Sequence, residues 1–374
     1  MNRDQKLAGK RILFLINSLG GGGAERVFIR ELNALQAEGV DVRLATLYPV
    51  SKGRTHRQLL ELPADKQRCF EFRGLLDLRA VKALKCFVQT EGIDLIYSTL
   101  DEANTVNRAL ALLLPSVSCI VREANTAEHK TNKFKLWDRL TNHCLKQIVT
   151  VSEEVRQSIL KYAPTVDPKI TVLPNGVELG RPSAHSTHSK LVLLTVGRCT
   201  PQKDQQLILQ ALRILNERRG ELDYVFHFIG DGPLRTELEA MTHALDLADR
   251  VIFHGHVPAE QMLAYYEASD IFLLSSRWEG CPNVLLEALS HGLASLSTNV
   301  GGVPDIVRHD IDGLLVEAGQ AQAFADQLER LLTDGALRTR LGLAARKRIE
   351  DQFSMEQHMT RLTHLFAHTL SSSL

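Results

Sequence analysis

The sequence lacks several features that would assign it to a specialised class of protein. Its 374 residues include six cysteines, none of them in a Cys-x-x-Cys pair. We therefore expect free thiols in a reducing cytoplasm and no structural zinc. No apolar run approaches the roughly 18 residues that a membrane-spanning helix needs. The amino-terminal stretch is polar and has no signal-peptide core, so we expect a cytoplasmic chain.

Net charge is also absent, yet the charged residues are unevenly distributed. Basic and acidic side chains number 44 each over the whole chain. Residues 1–174 carry 26 basic and 19 acidic side chains, whereas residues 175–374 carry 18 and 25. The length favours two domains, and the charge asymmetry predicts that the first, basic domain faces an anionic partner.

Short apolar runs alternate with amphipathic stretches in both halves of the chain. In the first half we predict strands at residues 11–17, 42–46, 93–98, 118–121 and 169–173, and helices at 24–38, 78–90, 101–114 and 133–145. In the second half we predict strands at 191–196, 225–230, 251–253, 270–274 and 313–316, and helices at 204–215, 321–332, 337–351 and 355–370. The polar stretch 179–190 is typical of a linker. This alternation predicts an α/β protein with doubly wound parallel sheets.

Four consecutive glycines, residues 20–23, follow the first predicted strand. The dinucleotide fingerprint GxGxxG fails in both registers, because its sixth position falls on Glu25 or Arg26. A nicotinamide cofactor is therefore disfavoured. Two interpretations remain: a flexible loop, or bare backbone at Gly22 and Gly23 that approaches a ligand phosphate or an acceptor.

The predicted helix at 133–146 has an apolar face and a basic face. Phe134, Trp137, Leu140 and Cys144 share the face that we expect to pack on the core. The basic residues lie off that face: Lys133, Lys135, Arg139 and Lys146. The basic face is either solvated or in contact with a membrane surface or a lipid phosphate.

Two cations follow the first predicted strand of the second half. Gly197-Arg198 ends that strand, and Lys203 comes after a short loop. Cations at the carboxyl end of a strand are placed to clamp a pyrophosphate, although isolated loop charges are usually only solvated. His256 follows another predicted strand and is weaker evidence, because a histidine in a turn is usually solvated as well.

Two carboxylates lie on either side of a predicted helix start in the stretch 277–303. Glu279 belongs to the loop after a buried strand, Pro282 suits the first helical turn, and Glu287 lies inside the helix. Backbone N–H groups from Gly280 to Val284 form a natural phosphate site. The alternative for Glu287 is a solvated helix carboxylate.

The string Glu-Gly-x-Pro-Asn-Val-Leu-Leu-Glu-Ala, followed by Gly-Gly-Val-Pro-Asp, resembles the donor-sugar motif of the family 4 retaining glycosyltransferases. Gly-Arg-x5-Lys matches that family's diphosphate-binding pair. Gly-Gly-Ala-Glu-Arg near the amino terminus and Asn-Gly-Val at 175–177 look like its first loop and its interdomain junction. The resemblance covers nearly the whole chain. It implies a GT-B fold, in which two Rossmann-like domains face each other across a cleft.

The resemblance also implies domain boundaries and residue roles. Residues 1–175 would form the acceptor domain, with 355–374 crossing back onto it, and 176–354 the nucleotide-sugar domain. The implied catalytic residues are Arg198, Lys203 and Glu279, while Glu287 would hold the ribose hydroxyls. The remaining donor-binding residues would be Gly197, His256, Gly280, Cys281, Pro282, Asn283, Val284, Gly22 and Gly23.

Two departures from the family pattern stand out, and one further string matches a metal-binding pattern. Asp204 occupies the place after the lysine where the family usually has glycine, which affects the loop geometry. The strand at 118–121 is followed by Arg122-Glu123-Ala124-Asn125 and not by the family's histidine. The acceptor side is therefore assigned to Arg122, Asn125, His129 and Glu25. Asp310-Ile311-Asp312 matches an Asp-x-Asp metal pattern but precedes Gly313 in a turn, so we expect no metal.

The resemblance implies metal-independent, retaining transfer of a hexosyl or N-acetylhexosaminyl group from a UDP-linked sugar, without a cofactor. The acceptor would be a lipid-linked saccharide or an envelope polysaccharide or lipopolysaccharide precursor. We expect an anionic membrane surface as a further partner, at the inner face of the cytoplasmic membrane, and no nucleic acid. A sugar-nucleotide epimerase, a phosphorylase and a non-catalytic nucleotide-sugar sensor remain alternatives on the same architecture. The sugar, the base, the acceptor and the linkage stay open.

Overall fold

A computed structural model describes residues 7–50, 55–75, 77–182 and 190–371, without the side chain of His129. Much of the linker expected at 179–190 therefore lies outside the described residues. The chain divides into two compact units. The first contains residues 1–175 and 356–374, and the second contains residues 176–355.

The first unit contains a seven-stranded parallel sheet with strand order β3-β2-β1-β4-β5-β6-β7. Its strands are β1 Arg11–Ile16, β2 Asp41–Thr46, β3 Gln67–Cys69, β4 Leu95–Thr99, β5 Ser118–Glu123, β6 Gln147–Thr150 and β7 Ile170–Val172. Its helices begin with α1 Gly23–Ala37, α2 Leu78–Thr90, α3 Asp101–Leu113, α4 Asn132–Thr141 and α5 Glu153–Leu160. The central strands are buried on both faces, as expected of parallel strands between helical layers.

The second unit contains a six-stranded parallel sheet with strand order β10-β9-β8-β11-β12-β13. Its strands are β8 Leu191–Val196, β9 Tyr224–Ile229, β10 Val251–Gly255, β11 Ile271–Leu274, β12 Ala294–Thr298 and β13 Leu314–Val316. Its helices are α6 Gln206–Arg218, α7 Arg235–Ala244, α8 Ala259–Glu267, α9 Asn283–Ser290, α10 Val303–Ile306, α11 Ala321–Thr333 and α12 Gly335–Arg348. The predicted α/β class with doubly wound sheets is confirmed.

The last helix, α13 (Met355–Ser371), packs within the first unit. Buried His358 anchors it there, because its Nε2 lies 2.8 Å from Glu31 Oε1 of α1 and its Nδ1 lies 2.7 Å from the Pro174 carbonyl oxygen. Phe366 adds an edge-on contact with Tyr97 of β4 at 5.1 Å between ring centroids. Within the described ranges, no helix combines the length and the apolar character needed to cross a bilayer.

The buried face of helix α4 is rotated from the sequence prediction, because Phe134 and Trp137 are half-buried as expected but Leu140 is not. Leu140, expected in the core, is 60% exposed, and Leu136 one turn earlier is 59% exposed. The buried residues of α4 are instead Asp138 and Thr141. The physical reason is a cluster of buried charges that draws Asp138 inwards.

That cluster lies behind the carboxyl end of β5. Arg108 is 1% exposed and forms ion pairs with Glu123 at 3.2 Å and with Asp138 at 3.0 Å. Lys130 Nζ bridges the same carboxylates at 2.7 and 3.0 Å, and Tyr162 donates to Asp138 at 3.1 Å. Burial alone would lower the pKa of Lys130, but the two carboxylates outweigh it and raise that pKa. Each buried charge is thus compensated by an opposite one.

Replacing Arg108 with methionine should lower the free energy of unfolding by about 3–5 kcal/mol, because two buried carboxylates lose a partner. Urea unfolding followed by circular dichroism measures this change. Arg156→Met is the control, because Arg156 pairs with Glu153 and Asp167, whose side chains are 45% and 47% exposed, and it should cost under about 1 kcal/mol. Equal losses for the two variants would contradict the stabilising role of the buried cluster.

Candidate functional site

The sheet of the second unit changes its direction of winding between β8 and β11, which lie side by side. Ligands of doubly wound sheets bind at the carboxyl ends of the strands at such a switch point. Two loops begin there: the β8 loop, residues 197–205, and the β11 loop, residues 275–282. They carry most of the residues that the sequence singled out.

Lys203 of the β8 loop and Glu279 of the β11 loop meet at this point. Lys203 Nζ donates a hydrogen bond to Glu279 Oε1, and Ser276 Oγ donates to the same oxygen at 2.6 Å. The side chains of Glu279 and Lys203 are 7% and 18% exposed. The two residues therefore neutralise each other in a largely desolvated place, where a charged pair interacts more strongly than in water.

Backbone hydrogen bonds and close approaches fix the two loops to each other and to the sheet. Arg277 N donates to the Gln202 carbonyl oxygen at 2.8 Å, and Ser275 Oγ donates to the Lys203 carbonyl oxygen at 2.8 Å. Gly301 has a φ of +59° and lies against the backbone of Glu279. A Cβ at position 301 would lie 1.8 Å from the Glu279 carbonyl oxygen. Only glycine fits both this conformation and this approach, so Gly301 helps to define where Glu279 lies.

Helix α9 carries the second carboxylate. It begins at Asn283, so Pro282 is its N-cap residue and not part of its first turn. No side chain of the described residues caps the helix. Glu287 lies one turn into the helix, half-buried, and accepts a hydrogen bond from Tyr266 Oη at 3.0 Å. Tyr266 is itself buried and stacks on His291 at 5.4 Å between ring centroids. Glu287 is therefore held in place and is not a freely solvated carboxylate.

The other donor-side residues lie around these loops. Arg198, two residues after β8, and His256, directly after β10, are exposed. The half-buried residues are Gly197, Gly280, Cys281, Asn283 and Val284. The structure brings together Lys203 and Glu279, but among the described residues no hydrogen bond or ion pair joins the Arg198 guanidinium to either of them. No three His, Cys, Asp or Glu side chains cluster as metal ligands in the ranges that the structure describes. Asp312 of the Asp-x-Asp string instead accepts hydrogen bonds from Arg308.

In the first unit, the glycine loop ends at the start of α1. Gly22 is the N-cap residue, and Glu25, three residues later, folds back over it. A Cβ at Gly22 would lie 2.3 Å from Glu25 Oε2, so the bare backbone makes room for this carboxylate. Gly23, the first helical residue, is exposed. His56, which the sequence analysis missed, holds the loop from the other side, with Nε2 3.1 Å from the Gly22 carbonyl oxygen.

Arg122 differs from expectation. It is 1% exposed, its Nη2 donates to Asn175 Oδ1, and its Nε lies 4.0 Å from Glu31 Oε1. Arg122 is therefore an interior cation and not an exposed one, and its assignment to the acceptor side stays a prediction. The cause of its burial is its position on a central strand of a parallel sheet, where both faces are covered and all six residues of β5 are buried. Asn125, two residues after β5, is exposed, and the side chain of His129 lies outside the described residues.

Sequence reasoning also missed Ser276 and Tyr266, which hold the two glutamates. Ser276 had a usable signal, because it lies three residues before Glu279 at the end of a strand. Tyr266 had none, since it lies 21 residues before Glu287 and reaches it only through the packing of α8 against α9.

Comparisons with known proteins find relatives that match nearly the whole chain. The chain is 25% identical over 372 residues to UDP-Gal:alpha-D-GlcNAc-diphosphoundecaprenol alpha-1,3-galactosyltransferase of Escherichia coli, covering 92% of this chain and 93% of that one. It is 26% identical over 348 residues to GalNAc-alpha-(1->4)-GalNAc-alpha-(1->3)-diNAcBac-PP-undecaprenol alpha-1,4-N-acetyl-D-galactosaminyltransferase of Campylobacter jejuni, covering 91% and 94%.

Among solved structures, the chain is similar to Anabaena Alr3699/HepE in complex with UDP, with a TM-score of 0.81 at 20% identity over 97% of this chain and 100% of that one. This likeness establishes the fold, the two-domain α/β arrangement named GT-B. The model of Glycosyltransferase Family 4 matches residues 21–181, and the model of Glycosyl transferases group 1 matches residues 180–348. The two matches meet at residues 180–181 and together take in every strand of the two sheets except β1. The chain belongs to the family 4, group 1 glycosyltransferases.

Proposed function

We propose that this glycosyltransferase takes its sugar from a UDP-linked donor bound at the β8 and β11 loops. The observation that carries the proposal is the Lys203–Glu279 pair, with Ser276, at the switch point of the second unit. A diphosphate that enters this place competes with Glu279 for the ammonium of Lys203. Glu279 then loses its ion-pair partner. Because a buried carboxylate without a hydrogen-bond donor is unfavourable in free energy, we expect it to accept hydrogen bonds from the sugar hydroxyls.

The reaction gathers negative charge on the leaving diphosphate. Lys203, Arg198 and the N–H groups at the start of α9 are the groups proposed to stabilise that charge. A preorganised donor of this kind contributes roughly 3–4 kcal/mol to transition-state stabilisation in comparable sites. Because cations and oriented dipoles supply this stabilisation, we propose that the transfer needs no metal ion.

We propose that the transfer retains the anomeric configuration. The leaving phosphate oxygen accepts the proton of the attacking hydroxyl on the same face of the sugar, so that no enzyme nucleophile is required. In atoms, the bond from the anomeric carbon to the diphosphate oxygen breaks, the bond to the acceptor oxygen forms, and the acceptor proton ends on the diphosphate.

The relatives support the choice of donor and acceptor. The Escherichia coli enzyme is named for transfer from UDP-Gal to a diphosphoundecaprenol-linked GlcNAc, and the Campylobacter jejuni enzyme for an undecaprenol-diphosphate-linked acceptor. We propose a UDP-hexose or UDP-N-acetylhexosamine donor, a lipid-linked envelope saccharide as acceptor, and the basic first unit as the part that takes this acceptor.

Incubation of the protein with UDP-sugars and undecaprenyl-diphosphate saccharides should give a lengthened saccharide whose new linkage has the anomeric configuration of the donor. Mass spectrometry detects the product, and proton NMR reads its anomeric coupling. Excess EDTA should leave the rate unchanged, because the charge is stabilised by side chains and the helix start. GDP- and ADP-sugars are the comparison donors.

The outcomes separate the alternatives. Inversion of the anomer would contradict the proposed mechanism, and loss of activity in EDTA would contradict metal independence. Conversion of the donor alone, without an acceptor, would indicate an epimerase. Donor binding without transfer to any acceptor would indicate a sensor.

Replacing Glu287 with alanine should weaken UDP binding by at least about tenfold, since a hydrogen bond to a charged group contributes about 1.5–3 kcal/mol. Calorimetry with UDP and 2′-deoxy-UDP measures this effect. The wild type should prefer UDP, and the variant should lose this preference if Glu287 holds the ribose hydroxyls. Glu217→Ala, in the last turn of α6, is the control, because Glu217 is 57% exposed and pairs with Arg213. An unchanged preference in Glu287→Ala would remove the ribose assignment.

We also propose that helix α4 lies on an anionic membrane surface. Leu136 and Leu140, one turn apart, are 59% and 60% exposed, and Leu112 and Leu113 at the end of the adjacent α3 are 45% and 47% exposed. Lys133, Lys135 and Arg139 flank the two leucines on α4. Apolar side chains surrounded by cations are the arrangement of helices that lie in the interface of anionic lipids.

The double substitution Leu136→Ser and Leu140→Ser should abolish sedimentation with vesicles of equal parts phosphatidylglycerol and phosphatidylcholine. Wild-type binding should fall as salt rises, because Lys133, Lys135 and Arg139 contribute electrostatic attraction. Leu343→Ser on α12 is the control, since Leu343 is 62% exposed in the second unit. Equal binding of the double variant and the wild type would exclude this surface, and absence of salt-sensitive wild-type binding would exclude a membrane role.

A further inference from the structure

Asp204, which follows Lys203, has a backbone conformation that is unusual for its residue type. Its φ is +43°, in the left-handed region that favours glycine. Aspartate tolerates this region better than most residues, but at an energetic cost. The family resemblance leads one to expect glycine at this position. The loop at position 204 therefore has the positive φ expected of glycine, but the residue there also carries a carboxylate.

The Asp204 carboxylate is buried and has a specific partner. Its side chain is 4% exposed. Arg277 of the β11 loop donates to it twice, from Nε at 3.0 Å and from Nη2 at 3.4 Å. A guanidinium that engages both carboxylate oxygens fixes direction as well as distance. This ion pair joins the β8 loop to the β11 loop over 73 residues of sequence.

Three consecutive residues of the β8 loop are attached in this way to the β11 loop. The carbonyl oxygen of Gln202 accepts from Arg277 N, that of Lys203 accepts from Ser275 Oγ, and the side chain of Asp204 accepts from the Arg277 guanidinium. Arg277 thus holds the residues on both sides of Lys203. The backbone of Lys203 is thus fixed separately from its ammonium, which pairs with Glu279 of the same β11 loop.

We propose that Asp204 and Arg277 are positioning residues that hold Lys203 for the diphosphate of the donor. The inference rests on the proposed donor site. A loop whose backbone must be ordered on ligand binding costs conformational entropy. Anchoring its backbone in advance lowers that cost and so increases phosphate affinity. A glycine at position 204 would give the same loop conformation without the anchor.

The test compares nucleoside diphosphates with nucleosides. UDP, GDP, ADP and the matching nucleosides are titrated by calorimetry into the full-length wild type and into Asp204→Gly, Asp204→Asn and Arg277→Ala. Asp204→Gly relieves the backbone strain but removes the carboxylate. Asp204→Asn keeps the tolerance for positive φ and one acceptor oxygen for Arg277. Asp246→Ala is the matched control, because Asp246 also has a positive φ, +54°, but its side chain is 87% exposed.

Asp204→Gly and Arg277→Ala should each weaken binding of the preferred diphosphate roughly tenfold, the expected effect of losing a hydrogen bond to a charged group. Binding of the nucleoside should not change. The double variant, Asp204→Gly with Arg277→Ala, should bind the diphosphate no more weakly than either single variant, because both substitutions remove the same ion pair. Asp204→Asn should restore part of the affinity, and Asp246→Ala should alter thermal stability only.

The remaining outcomes overturn the inference in distinguishable ways. Wild-type diphosphate affinity in Asp204→Gly would show that the carboxylate positions nothing. Weak binding in Arg277→Ala alone would mean that Arg277 contacts the ligand itself. An equal loss of nucleoside binding in the variants would indicate general damage to the fold. A wild type that binds diphosphates no better than nucleosides would instead refute the proposed donor site, and this inference with it.

Discussion

The ion pair between Lys203 and Glu279 is the interaction on which the rest of the second unit depends. Its partners are 76 residues apart in sequence and meet because β8 and β11 are neighbours at the switch point of the sheet. Holding two charges in a place with little solvent requires further polar partners. Ser276 is one of these partners, since its hydroxyl donates to Glu279. Glycine at position 301 allows the backbone of Glu279 to lie directly against that residue. The proposed diphosphate would take the place of the Glu279 carboxylate as the partner of Lys203.

The first unit places buried charge differently. Its cluster of Arg108, Lys130, Glu123 and Asp138 compensates charge internally and leaves little for a ligand. Its effect is to set the orientation of α4, because burying Asp138 requires the leucines on the opposite side to face solvent. The electrostatics of the interior therefore determine which apolar residues appear on the surface.

Much of the architecture was predictable from periodicity, although β3, β6, β12, α5, α7 and α8 were not predicted. Two of these omissions have identifiable causes. Strand β12 was not predicted because its sequence, Ala-Ser-Leu-Ser-Thr, is mostly small and polar although all five residues are buried. Helix α5 was missed despite a usable signal, the N-cap Ser152, whose side chain accepts from Val155 N, followed by two glutamates. The orientation of α4 was not predictable, because hydrophobic periodicity assumes that the apolar face is the buried one. That assumption fails where an ion-pair cluster competes for the same helix.

The sequence by itself determined the alternation of strands and helices and the residues that carry the donor motif, because both are written in local order and spacing. It could not determine that Lys203 pairs with Glu279, that Arg277 pairs with Asp204 or that Arg122 is buried on a strand of the first sheet. Those pairings depend on which strands become neighbours and on how the helices above them pack. Strand order arises from contacts between distant segments, which no local pattern encodes. These pairings were therefore decided only by the tertiary structure.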